Sequence, residues 1–189
     1  VAHSFPTRRS SDLPFIWMRA YEGGQSNNAM DVDYFGLMPK FNLNNISINP
    51  YVFYGYSDNA TDYPNINPYE TAARGPNSFE DLNVFWAGMD VDMNFDPVSI
   101  WFTGIYQGGD ADYLFRNDSL DFQAWLAALG FSVGFGMGDI HGQVFYATGD
   151  DDPTDDEFEG FMGIGEDGFG QNFNQSYYWS EIMGMGVFD

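Results

Sequence analysis

The sequence predicts an all-β chain, an antiparallel meander of about six to eight strands. Three observations predict it. Apolar residues alternate with small or polar ones at period two in several segments. Turn-forming Gly, Asn and Asp-Pro residues separate those segments. Glycine (22 residues) and aromatics (19%) are abundant among 189 residues, and no apolar run reaches the roughly 18 residues of a membrane-spanning helix.

Composition excludes several functions. The chain has 28 acidic and 6 basic residues, a formal charge of −22. Such a surface repels phosphate, so no nucleic-acid partner is expected. Without cysteine there is no disulfide framework, thiolate zinc cluster or cysteine nucleophile. The aromatic content is too high for a solvated coil.

Residues 4–13 read SFPTRRSSDL. This run resembles a sequencing adapter translated in frame, so 1–13 is treated as a non-native leader and 14–189 as the partial domain to interpret. Setting the leader aside leaves Arg19, Lys40, Arg74 and Arg116 as the basic residues, and His141 as the histidine.

The elements follow in order. A weak strand is expected over 15–22. Phe35, Leu37, Phe41 and Leu43 alternate up to Asn44-Asn45. Ile46, Ile48, Val52, Tyr54 and Tyr56 alternate after it, opposed by Ser47 and Asn49. Phe85, Ala87, Met89, Val91, Met93 and Phe95 then share one face, with Trp86, Gly88, Asp90, Asp92 and Asn94 on the other. A helix would not sort these residues into an apolar and a polar side. Asp96-Pro97 predicts a turn, and the return strand faces Val98, Ile100, Phe102, Gly104 and Tyr106 one way. Trp125, Ala127, Leu129, Phe131, Val133 and Phe135 form the next apolar face, opposed by small residues. A turn is expected at Gly138-Asp139, then Ile140, Val144 and Tyr146 against His141 and Gln143. A last weak strand is expected over 176–188.

The connections alternate in length. Short turns are expected near 44–45, 95–97 and 137–139, and long polar loops over 23–30, 57–81, 108–120 and 149–175. Outer-membrane barrels have short turns at one end and long loops at the other. Their strands need only about 9–11 residues to cross lipid. Backbone groups in lipid must be paired, which strands achieve by closing a barrel. Lysine, usual on the exposed faces and edges of soluble sheets, is nearly absent. Tyr54, Tyr56, Tyr106, Trp125 and Tyr146 fall near strand ends, where interfacial girdles lie.

On this pattern the chain resembles a bacterial outer-membrane porin. The passage VFYATGDDDP over 144–153 is similar to strand ends of the alginate-export-like porin family. That resemblance implies a large monomeric barrel and a pore for hydrophilic solutes. The expectation is 6–8 transmembrane strands forming part of a larger barrel in the bacterial outer membrane. Its surroundings would be lipid and lipopolysaccharide. An exporter of an anionic polysaccharide needs a basic lumen, which four basic residues do not provide, so small cations are the expected preference.

The expected pore lining is Asp90, Asp92, Asn94, Lys40, Gln143 and His141, with the two carboxylates attracting cations. Asp31 and Asp33 are expected above the membrane band. Asp150, Asp151, Asp152, Asp155, Asp156 and Glu157 form an acidic loop with oxygen ligands suited to calcium, although without an EF-hand glycine. Alternatively the loop is simply solvated. The GIGEDG run over 163–168 lacks a strand–helix context and carries two acids that would repel a pyrophosphate. No cofactor is expected beyond that possible calcium, and no enzyme activity. Two other classes remain: a secreted calcium-dependent β-sandwich binding module, and a barrel hydrolase using His141.

Overall fold

The computed structural model describes residues 13–21, 32–57, 79–113, 117–152 and 154–162. Residues 1–12 of the leader, the acidic GIGEDG run, Asp31, Arg74, Arg116 and the expected last strand lie outside the described residues. The fold is all-β. The strands are β1 (Phe15–Tyr21), β2 (Val32–Leu37), β3 (Phe41–Leu43), β4 (Ile46–Ser57), β5 (Phe79–Phe95), β6 (Val98–Tyr113), β7 (Ser119–Phe135), β8 (Gly138–Ala147) and β9 (Glu157–Phe158). They form one sheet in the order β1-β2-β4-β5-β6-β7-β8, with β3 beside β4. Neighbours are antiparallel throughout this path. The exception is β9, which lies parallel to β7 at Asp121 and Phe122.

Three boundaries differ from expectation. Strands β5 and β7 have 17 residues each and β6 has 16. The loop expected over 108–120 is therefore mostly strand. Its Gly108-Gly109 and scattered aspartates suggested a loop, but each residue from Gly108 to Asp112 finds a partner on both sides. Gly109 has φ 138°, and a Cβ there would run into the carbonyl oxygen of Asn83. Glycine thus permits two backbones to approach closely. The last short turn falls at Gly136-Met137, two residues before the expected site, because Gly136 supplies the left-handed φ of 49°.

The third difference is a break in the strand expected over 35–43. Leu37 faces Val52, and Phe41 faces Ile48. The register is unbroken across the gap, which places Pro39 opposite Pro50. Neither proline has an N–H to donate, so the ladder lapses over 38–40.

The short turns at 44–45, 96–97 and 136–137 lie at one end of the sheet. The strand ends at Tyr21, Val32, Ser57, Phe79, Tyr113 and Ser119 lie at the other. Cross-strand partners share a face, so the register sorts every side chain. One face is apolar. It carries Phe35, Val52, Met89, Phe102, Leu129 and Val144, all exposed. The opposite, mixed face has two halves. Toward the loop end it holds the core: Tyr34, Leu82, Val84, Trp86, Ala111, Leu120 and Phe122, covered by Phe158 and Met162. Toward the turn end it is polar.

Candidate functional site: the polar half of the mixed face

The sheet register builds this surface row by row. Ser47, Asp92, Trp101, Gly130 and Gln143 lie in one row across β4 to β8. Asn49, Asp90, Thr103, Ala128 and Phe145 form the next row toward the loop end. Asn94, Ser99, Ser132 and His141 form the row nearer the turns. Period-two geometry alone brings Asp90, Asp92, Asn94, Gln143 and His141 to one face. Thr103 Oγ1 donates to Asp90 Oδ1 at 2.7 Å, and Ser99 Oγ donates to Asn94 Oδ1 at 2.8 Å. His141 Nδ1 lies 3.0 Å from Asp139 Oδ2, and both side chains are exposed. Ser132 is its cross-strand neighbour, but among the described residues no hydrogen bond joins a serine to this imidazole.

The unbroken register sets Lys40 opposite Asn49, beside the row of Asp90. It lies in the 38–40 connection, exposed, where the proline pair interrupts the strand. Across β4 to β8 the polar half carries aspartates and, among the described residues, no lysine or arginine, with Lys40 at its border beside β3.

No family profile, curated protein or solved structure matches the chain. The reading of this surface therefore rests on its own chemistry.

Two features escape sequence reasoning. The first is the seating of aromatic rings on glycines. The Tyr51 ring lies over Gly88, where a Cβ would come within 2.6 Å of Cζ. The Trp101 ring lies over Gly130, where a Cβ would collide with Cε2 and Nε1. The pairing of Gly88 with Tyr51 and of Gly130 with Trp101 would have revealed this, but only once the register was known.

The second is a segment that folds back over the mixed face. After β8, Thr148 exchanges hydrogen bonds with the backbone of Trp125, its N–H donating to Trp125 O at 2.9 Å and its Oγ1 accepting from Trp125 N at 2.9 Å. The chain turns at 150–156, pairs briefly as β9, and crosses β7 and β6 toward β5. There Trp86 Nε1 donates to Met162 O at 2.8 Å, and Met162 N donates to Gln107 Oε1 at 2.8 Å. Gln107 is fully buried, and its Nε2 has no partner among the described residues.

The acidic turn does not assemble the calcium ligands expected of Asp150, Asp151, Asp152, Asp155, Asp156 and Glu157. Among the described residues no three carboxylates or imidazoles are grouped to hold a metal ion. Some of these carboxylates instead cap the local backbone. Asp152 Oδ1 accepts from Thr154 N at 3.1 Å and Thr154 Oγ1 at 2.6 Å, and Asp155 Oδ1 accepts from Glu157 N at 3.0 Å. A hydrogen bond shared with Asp151 holds the Glu159 carboxyl above the usual carboxylate range. The charge of Asp151, partial burial, and the charges of Glu157 and Asp150 add to the effect.

The five aromatics lie on the apolar face, but Tyr106 and Trp125 sit in mid-strand rather than near strand ends, because β6 runs on to Tyr113 and β7 begins at Ser119. Tyr54 pairs with Phe85, and Tyr106 with Trp125. The Phe85–Tyr106 and Tyr106–Trp125 ring centroids are 5.8 and 4.5 Å apart. Tyr56 and Tyr146 are exposed on the same face. None of the five belongs to the core. Next toward the loops come Asn83, Asp110 and Asp121 in register, with Asp33 paired to Arg19 at 2.7 Å. The rings are thus spread over several successive rows, and the apolar surface ends in a polar rim that also contains Tyr56.

Proposed function

We propose that the chain is part of an outer-membrane β-barrel porin passing small hydrophilic solutes, with a preference for cations. The observation that carries this reading is the exposed apolar face. Trp125 is 54% exposed, Ile140 59%, Val144 63% and Tyr146 66%, and these residues cluster with many others on one side of the sheet. Soluble monomers rarely leave so continuous an apolar surface in water. Lipid is the solvent that suits it, and β2 and β4 to β7 have both ladders occupied along most of their length.

In this reading Tyr54 and Tyr56 lie at the membrane interface and the acidic rim in the headgroups. A strand of 17 residues spans roughly 55 Å. That exceeds the hydrocarbon thickness even when tilted, so the loop ends project outward. The mixed face lines the lumen. Its turn-end half presents Asp90, Asp92, Asn94, Gln143 and His141 to water, and the carboxylates concentrate cations there. The folded-back segment through Met162 narrows the loop-end half and supplies size exclusion.

The test uses tryptophan position. The chain is refolded in vesicles containing bromine-labelled lipids, and the emission of Trp125 and Trp101 is compared by replacing each with Phe. The expected result is that removing Trp125 abolishes much of the quenching and removing Trp101 does not. Solubility without detergent, with no quenching at Trp125, would overturn the reading and favour a soluble sandwich.

A further inference from the structure

We propose that the polar half of the mixed face binds organic cations, ammonium or guanidinium compounds with an apolar body, between Tyr51 and Trp101. This deepens the reading of the same face as the solute path.

The geometry is set by one stripe along β5. Gly88, Asp90 and Asp92 follow at period two on the mixed face. The Tyr51 ring lies over Gly88 at one end of the stripe. Trp101 is the cross-strand partner of Asp92 at the other end, its ring leaning away over Gly130. Two carboxylates therefore lie between two rings that rest against the sheet. Tyr51, Trp101 and Asp90 are partly exposed and Asp92 is exposed. Thr103 fixes Asp90 through one oxygen.

This combination selects its ligand by chemistry. A ring face attracts a cation through its quadrupole, and most strongly a weakly hydrated organic one. Carboxylates beside the ring add charge complementarity. A hard divalent ion gains little here, because it takes six to eight oxygens, and no three acidic groups converge. A neutral sugar would stack on the rings but would draw nothing from the charge of Asp90 and Asp92. Glycine at 88 and 130 is what lets the rings lie low, since a side chain there would push them off the sheet.

The experiment is calorimetric titration of the detergent-refolded chain with tetraethylammonium, against maltose and potassium as controls. Saturable binding of tetraethylammonium is expected, absent with either control. Asp92→Asn and Trp101→Leu should each weaken it about tenfold. Gly130→Ala should weaken it similarly by lifting the Trp101 ring off the sheet, while removing no ring and no charge. Asp110→Asn, the same charge change on the apolar face, should leave it unaltered. Equal losses from Asp110→Asn and Asp92→Asn would reduce the effect to net charge and overturn the proposal. So would insensitivity to Trp101→Leu, or maltose binding as tightly. The titration needs no bilayer, so it can fail while Trp125 is quenched by lipid, or succeed while it is not.

Discussion

The indole N–H of Trp86 on β5 is capped by the main-chain carbonyl of Met162, 76 residues later, at 2.8 Å. Together with the Gln107–Met162 contact, this fixes where the folded-back segment ends. Trp86→Phe keeps most of the ring but removes the donor. It should cost about 1 kcal/mol or somewhat more, because the buried carbonyl loses its partner. Trp86→Ala should cost about 3–5 kcal/mol. Hydrogen exchange at the Phe161 and Met162 amides should accelerate before exchange in β5 to β7 does.

Acidification should tighten the same segment. Glu159 is held above the ordinary carboxylate range by its bond to Asp151. A carboxyl raised in the fold stabilises it fully below its unfolded pKa, and that contribution is lost as pH rises through the folded value. Protection factors at Phe161 should therefore fall from acid to neutral pH. Glu159→Gln should hold them at the acidic level throughout. A pH-independent profile in the unaltered chain would contradict this.

Gly109→Ala should be among the most damaging single-methyl additions in the sheet. The new Cβ meets backbone rather than a yielding side chain, at a φ of 138°. A cost of more than about 2 kcal/mol is expected in urea unfolding, with β5–β6 pairing affected first. Gly149→Ala, where nothing lies within 4 Å, is the control and should stay within about 0.5 kcal/mol.

The two faces should respond oppositely to charge. Leu129→Arg places a cation on the apolar face and should cost about 2–4 kcal/mol in vesicles. Gln143→Arg, on the mixed face, should cost little but shift ion selectivity toward anions. If Leu129→Arg instead improved solubility in plain buffer without loss of fold, lipid would not be the solvent of that face.

Asp90→Asn with Asp92→Asn should lower cation preference in planar-bilayer conductance while leaving single-channel size largely unchanged. An unaltered reversal potential would show that these carboxylates do not face the path of the ions.

Much of the sheet was legible because period two is a direct image of its geometry. Asp90, Asp92 and Asn94 fall opposite Met89, Val91 and Met93 in the sequence as in the fold. What was not legible depends on neighbours distant in the chain. Pro39 looks harmless until the register sets it against Pro50. Gly108-Gly109 reads as a loop until Asn83 and Val84 arrive beside it. Lys40 keeps the spacing of a lining residue, opposite Asn49, although the ladder lapses around it. The reversal after Asp152 that brings Met162 to Trp86 has no periodicity to announce it.

The facing prolines also define a mechanical seam. The β2 and β3 run is joined to β4 by two short stretches, five register pairs on one side of the gap and three on the other. The β4–β5 boundary holds twelve in succession. Under load, or on the way to unfolding, the N-terminal strands would peel away as a flap while β4 to β8 stayed zipped. Such a flap is also the part of the sheet most readily exchanged for another strand, so the seam marks where this chain would yield to a competitor for its edge.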